Sequence, residues 1–114
     1  MSGYSVLVLV LSNPAQQDKL LLALKNAGIK GATVIHSTGM AHALGNLEED
    51  NVVSSLRAFF STSHVENKTI FMVLKDEKIR DVRTVITSVL GDLSKPDTGI
   101  LFAFPLTLVE GILE

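Results

Sequence analysis

The sequence predicts an α+β domain: a four-stranded antiparallel sheet with two long helices on one face. Three observations predict it. Short runs rich in Val, Ile and Leu alternate with longer stretches whose apolar residues recur at helical spacing. Those segments follow in the order β-α-β-(α)-β-α-β. The chain has 114 residues, the length of a single domain spanning 1–114.

The first strand is Tyr4 to Leu11, YSVLVLVL, apolar on both faces and so expected at the centre of the sheet. Asn13 can cap a helix that begins at Pro14, where a missing N–H costs nothing. Leu20, Leu21, Leu24 and Ala27 give that helix its apolar stripe, and Gly28 stops it. Gly31 to Thr38 reads as the second strand, with Val34 and His36 on one face and Thr33, Ile35 and Ser37 on the other. Residues 39–66 read as an insertion-like connection. It is an extended loop over 39–51, followed by a short helix of about 50–60 carrying Val52, Val53, Leu56, Phe59 and Phe60. The acidic cluster Glu48-Glu49-Asp50 suits the positive end of that helix. Lys68 to Leu74 is the third strand, apolar on both faces. Asp76 is positioned to cap a second long helix that carries Ile79, Val82, Val85, Ile86, Val89 and Leu90 and ends at Gly91. Thr98 to Leu106 is the fourth strand, and Pro105 near its end marks an edge or a terminus.

Composition excludes several classes of function. Formal net charge is −2, aromatic residues are 5% and no Lys/Arg stripe is visible, so a nucleic-acid partner is not expected. There is no Cys, which excludes disulfides, thiolate metal sites and Cys nucleophiles and fits a cytoplasmic protein. Val6 to Leu11 and Ile100 to Leu106 fall far short of the ~20 apolar residues needed to span a bilayer. No basic region precedes the first run, so a signal peptide is not expected either.

Two β-α-β units with right-handed crossovers give a ferredoxin-like split, with strands one and three central and expected to run parallel to each other. The two helices cover one face only. Hydrophobic residues are 46% of the chain and charged ones 19%, and mean hydropathy is +0.36. The open face therefore carries either Val6, Val8 and Val10 or Leu7, Leu9 and Leu11. On the order of several hundred Å² of apolar sheet left in water marks an interface. A homo-oligomer is expected to bury it.

The chain resembles the PII-like (nitrogen regulatory protein P-II related) signal-transduction superfamily. The carrying residues are the first strand leading into a Pro-started helix, the segment Gly28 to Val34, the motif Ser37-Thr38-Gly39, and Asp97 to Phe102 with Pro105. The resemblance implies a compact homotrimer whose three sheets face one another. It also implies a small effector, nucleotide-type or another anionic metabolite, bound in clefts between subunits. Thr38, Gly39 and Met40, with Ser37 before them, match the place where such proteins wrap backbone N–H groups around a phosphate. Thr98 and Gly99 match the glycine turn into the last strand, and Lys95 is the basic residue beside it. The resemblance further implies that binding orders the 39–60 segment, which then contacts a target protein. The sequence departs from the pattern in three places. It has a predicted helix instead of a tyrosine-bearing loop. Ile100 stands where a lysine follows the strand-four glycine. Thr107 to Glu110 replace a basic pair. The effector's identity stays open.

No catalytic constellation is visible. His36, His42 and His64 are too scattered for a metal pair, and Ser61-Thr62-Ser63-His64 has no acid partner or glycine elbow. A His42 site assisted by Glu48 or Glu49 is the one metal arrangement the spacing permits, and no metal site is expected. Lys68, Lys75 and Lys95 lie nearest strand ends, where they could meet an anion. The alternatives are a purely structural or interaction trimer, a small ferredoxin-like enzyme using His36 or His42, and a CutA-like metal-binding trimer.

Overall fold

The computed structural model describes residues 2–45 and 67–112. The expected helix over 50–60, with Glu48 to Asp50, Phe59 and Phe60 and the Ser61 to His64 motif, lies outside the described residues.

β1 is Tyr4–Leu11. The Asn13 side chain then accepts from the Ala15 N–H at 3.1 Å, and the Gln16 N–H donates to the Asn13 carbonyl at 3.1 Å. These bonds wind Pro14–Gln16 into a single 3₁₀ turn, so α1 begins three residues later than Pro14 and spans Gln17–Asn26. Gly28 has φ +92°, and it lets the Ile29 N–H fold back onto the Leu24 carbonyl at 3.0 Å. β2 is Thr33–Ser37.

A helix, α2, occupies Met40–Gly45 where an extended loop was expected. Met40, Ala41, Ala43 and Leu44 are strong helix formers, and the Ala43 N–H closes the first turn on the Gly39 carbonyl at 2.9 Å. Such a short helix has no apolar periodicity to give it away.

β3 is Asn67–Lys75. A 3₁₀ turn, Asp76–Lys78, leads into α3, Ile79–Leu90. Asp76 does not cap that helix. Its carboxylate instead accepts from the buried Ser5 hydroxyl at 2.6 Å, tying the start of α3 to β1. β4 is Gly99–Pro105, and Leu106 continues its pairing by donating to the Tyr4 carbonyl at 2.9 Å.

The sheet order is β2-β3-β1-β4 and every neighbouring pair is antiparallel. β1 and β3 are central as expected, but they run antiparallel and not parallel. A right-handed crossover through α1 leaves β1 and β2 parallel with a gap one strand wide. β3 fills that gap running against both, which is what splits the β-α-β unit.

The helices cover one face. Leu7 and Leu9 of β1 and Ile70, Met72 and Leu74 of β3 pack with Leu20 and Leu24 of α1 and Val82 and Ile86 of α3. Leu11 is buried too. Of the two candidate sets on β1, the leucines therefore face the helices, and Val6, Val8 and Val10 stand on the open face.

Those valines are not what water sees. Val8 is flanked in register by Phe71 and Phe102, and Val6 by Val73 and Phe104. Val8 is only 6% exposed, whereas Phe102 and Phe104 are 47% and 50% exposed. The exposed apolar surface belongs to the strands on either side of β1, through Phe71 and Val73 of β3 and Phe102 and Phe104 of β4, with Ile35 and Ile100 at its margins.

Two substitutions test this packing. Leu9→Ala, at a fully buried position, should lower unfolding free energy by about 2–5 kcal/mol in urea at fixed protein concentration. Gly99→Ala should cost about 1–3 kcal/mol. Gly99 has φ +151°, and a β-carbon there would lie 2.6 Å from the Val10 carbonyl oxygen. Faster amide exchange confined to the β1–β4 pair would locate that strain.

Candidate functional site

Strand direction gathers the candidate residues at one end of the sheet. Leu11, the last residue of β1, pairs with Lys68 on one side and with Gly99 on the other. Ser37, the last of β2, pairs with Asn67. Ser37 to Met40 and Thr98 to Gly99 therefore leave the sheet at the same end.

They leave it at opposite edges. β3 and β1 lie between β2 and β4, so the two groups stand about three strand spacings, ~14 Å, apart. A ligand the size of one phosphate or one carboxylate cannot touch both within a single copy. The shallow depressions among the described residues are elsewhere, over α3, lined by Asp76, Glu77, Arg80, Asp81, Arg83 and Thr84 among others.

At the β2 edge, the Ser37 hydroxyl accepts from the buried Thr69 hydroxyl at 2.7 Å. Gly39 lies close under Asn67: a β-carbon at that position would be 3.4 Å from the Asn67 side-chain nitrogen. Met40 opens α2 and is 78% exposed. On the helix-side face of the same edge, Lys68 Nζ lies 2.8 Å from His36 Nδ1 and 3.1 Å from Nε2. Lys75, also singled out from sequence, pairs with Tyr4 at the far end of the sheet.

At the β4 edge, the 91–98 loop carries Lys95, which is exposed. The Asp92 carboxylate accepts from the Ser94 N–H at 2.9 Å and from the Ser94 hydroxyl at 2.8 Å. The Lys95 N–H donates to the Asp92 carbonyl at 3.1 Å, and the Thr98 hydroxyl donates to the Pro96 carbonyl at 3.3 Å. The Ser12 N–H joins the loop to β1 through the Thr98 carbonyl at 3.4 Å.

Asn67, Thr69 and the His36–Lys68 contact did not stand out in the sequence. Their signal is relational, since it appears only once the β2–β3 register is known. Among the described residues, no group of three or more His, Asp or Glu side chains could hold a metal ion, and no helix is long and apolar enough to cross a membrane.

The Asp92 carboxyl lies below its ordinary value because the Ser94 backbone N–H, and then the Ser94 hydroxyl, bind its charged form. A carboxyl depressed in the folded state stabilises the loop above its unfolded value and loses that effect as pH falls through the folded one. Amide exchange at Ser94 and Lys95 should accelerate relative to the sheet below about pH 4. Asp92→Ala should give the same acceleration at pH 7.

The sequence matches the family model for nitrogen regulatory protein P-II over residues 6–113. No curated protein matches it. Among solved structures it is similar to PII of Arabidopsis thaliana bound to citrate, with a TM-score of 0.62, 18% identity, and coverage of 93% of this chain and 77% of that one. It is equally similar in shape to a protein of unknown function from Pediococcus pentosaceus, at TM-score 0.62 and 10% identity, covering 96% of this chain and 97% of that one. At those identities the two structures speak for the fold, and the match over 6–113 settles the family: the chain belongs to the nitrogen regulatory protein P-II family.

Proposed function

We propose that this chain is a regulatory protein of the cytoplasm that acts as a homotrimer and holds a small anionic effector between its subunits. The observation that carries the reading is the open sheet face. Phe71, Val73, Phe102 and Phe104 lie exposed across three adjacent strands, with no element of the described chain over them. Three such faces turned toward a common axis would bury that surface. The separation of the two candidate groups supports the same assembly. In a ring, the β2 edge of one copy meets a different edge of the next, so Ser37, Thr38, Gly39 and Met40 of one subunit and Lys95, Thr98 and Gly99 of its neighbour would share a cleft.

In this reading the backbone around Thr38 and Gly39 supplies donors to the effector and Lys95 supplies charge. Ile100 and the neutral-to-acidic Thr107 to Glu110 give little further positive charge, which argues for a ligand with fewer phosphates than a nucleoside triphosphate. Contact with a target protein is assigned to the 39–60 segment, of which residues 46–60 lie outside the described part.

Light scattering after size exclusion should give three times 12.3 kDa. Phe102→Asp or Phe104→Asp should shift that mass to the monomer, because a charge buried at such a contact is unpaired. A wild-type monomer would overturn the trimer. Calorimetry against nucleotides and small polycarboxylates, citrate among them, tests the effector. Binding should weaken at least tenfold in both Gly39→Val and Lys95→Ala, whereas a trimer that binds none of the panel would leave a purely structural assembly.

A further inference from the structure

The last rung of the β2–β3 pair carries an uncharged polar cluster. Ser37 stands opposite Asn67, and Thr69 is the next residue of β3 on the same face. That face is the open one, since Ile70 and Met72 turn to the helices. Thr69 is 7% exposed and lies in register between Val10 and Ile35. Among the described residues its hydroxyl has one partner, the Ser37 oxygen at 2.7 Å. A buried hydroxyl spends its proton on the acceptor it has. Thr69 therefore donates, Ser37 accepts, and the Ser37 proton is left to point away from Thr69. The Asn67 amide lies over Gly39, its nitrogen 3.4 Å from where a β-carbon would stand. It makes no side-chain hydrogen bond among the described residues. Ser37 and Asn67 are both half-buried. Alternation sends His36 and Lys68 to the other face, and Lys95 belongs to the opposite edge of the sheet.

We propose that Ser37 and Asn67 form a subsite for an uncharged amide group of the effector, with Thr69 as the residue that positions Ser37. The proposal rests on the cleft reading above for the remainder of the effector, whereas the subsite itself lies within one copy. An amide presents a carbonyl oxygen beside an N–H in one plane. The Ser37 hydroxyl donates to that oxygen. The Asn67 side chain, with its acceptor and two donors on one planar group, pairs with the N–H. A carboxylate in the same place lacks the N–H and brings a charge that no described cation of β2 or β3 meets on this face. It loses a hydrogen bond and desolvation energy together. The anionic end of the effector is left to the backbone around Thr38 and Gly39. The ligand class is a small acid that also carries an open-chain carboxamide or a ring lactam.

Succinamate and succinate differ only in the group at issue, and uracil carries the same edge on a lactam. An NMR titration of the full chain with each probe, at matched ionic strength, reads the subsite. The signals are the Ser37 backbone amide and the Asn67 side-chain amide, the latter identified by its loss in Asn67→Ala. Succinamate should shift both saturably and bind about tenfold more tightly than succinate. Asn67→Ala should weaken succinamate by about tenfold. Thr69→Val, which removes the donor to Ser37, should weaken it by about threefold, whereas Thr69→Ser should bind as the wild type does. Each variant is first checked for an otherwise native spectrum. A response to uracil as well extends the subsite to lactams, and a response to succinamate alone assigns it to open-chain amides. Succinate bound as tightly as succinamate, saturation by neither, or succinamate binding unchanged in Asn67→Ala overturns the proposal. A monomer that still binds succinamate overturns only the trimer, so the two readings fail separately.

Discussion

Leu7 and Leu9 are paired on both sides, to β3 and to β4, while their side chains pack beneath α1 and α3. That double engagement is what the rest of the structure depends on. It fixes β1 at the centre and sets the side chains of both neighbours in phase with it. Because side chains alternate along a strand, committing the leucines to the helices commits Val6, Val8 and Val10 to the other face. The neighbours follow: Phe71, Val73, Phe102 and Phe104 must stand beside those valines. A slip of β1 by one residue would send its leucines to the open face and its valines under the helices.

The same constraint organises the end of the sheet that carries the candidate residues. Antiparallel pairing brings the end of β2, the start of β3, the end of β1 and the start of β4 to one side of the sheet. It also puts β2 and β4 at the two edges. A single subunit thus holds the two candidate groups apart, at opposite edges of the sheet. The apolar face and the divided site are consequences of one arrangement, and assembly would resolve both.

Much of the fold was legible in the sequence because burial leaves a periodic trace. The unbroken YSVLVLVL run marked a central strand, the Leu20–Leu24 spacing marked a helix, and Gly28 and Gly91 marked helix ends where the structure puts them. α2 was missed because a six-residue helix, four of whose residues are good helix formers, produces propensity without periodicity. Asp76 was misassigned as a cap because its partner, Ser5, is 71 positions away. The direction of β3 relative to β1 was misread because side-chain pattern encodes which faces are apolar and carries no information on strand polarity.

The sequence by itself determined the element order, the family, and an apolar excess too large for one small subunit to hide. Those are properties of local spacing and composition, which every residue carries wherever it ends up. Tertiary structure alone decided which side chains display that excess. On β1 the valines are small enough to be shielded by larger neighbours, so the exposed surface passed to Phe102 and Phe104. It alone placed Lys68 on His36 and Ser37 on Thr69, because a hydrogen bond across strands depends on register. Register is set by the sheet as a whole, through the burial of leucines two strands away.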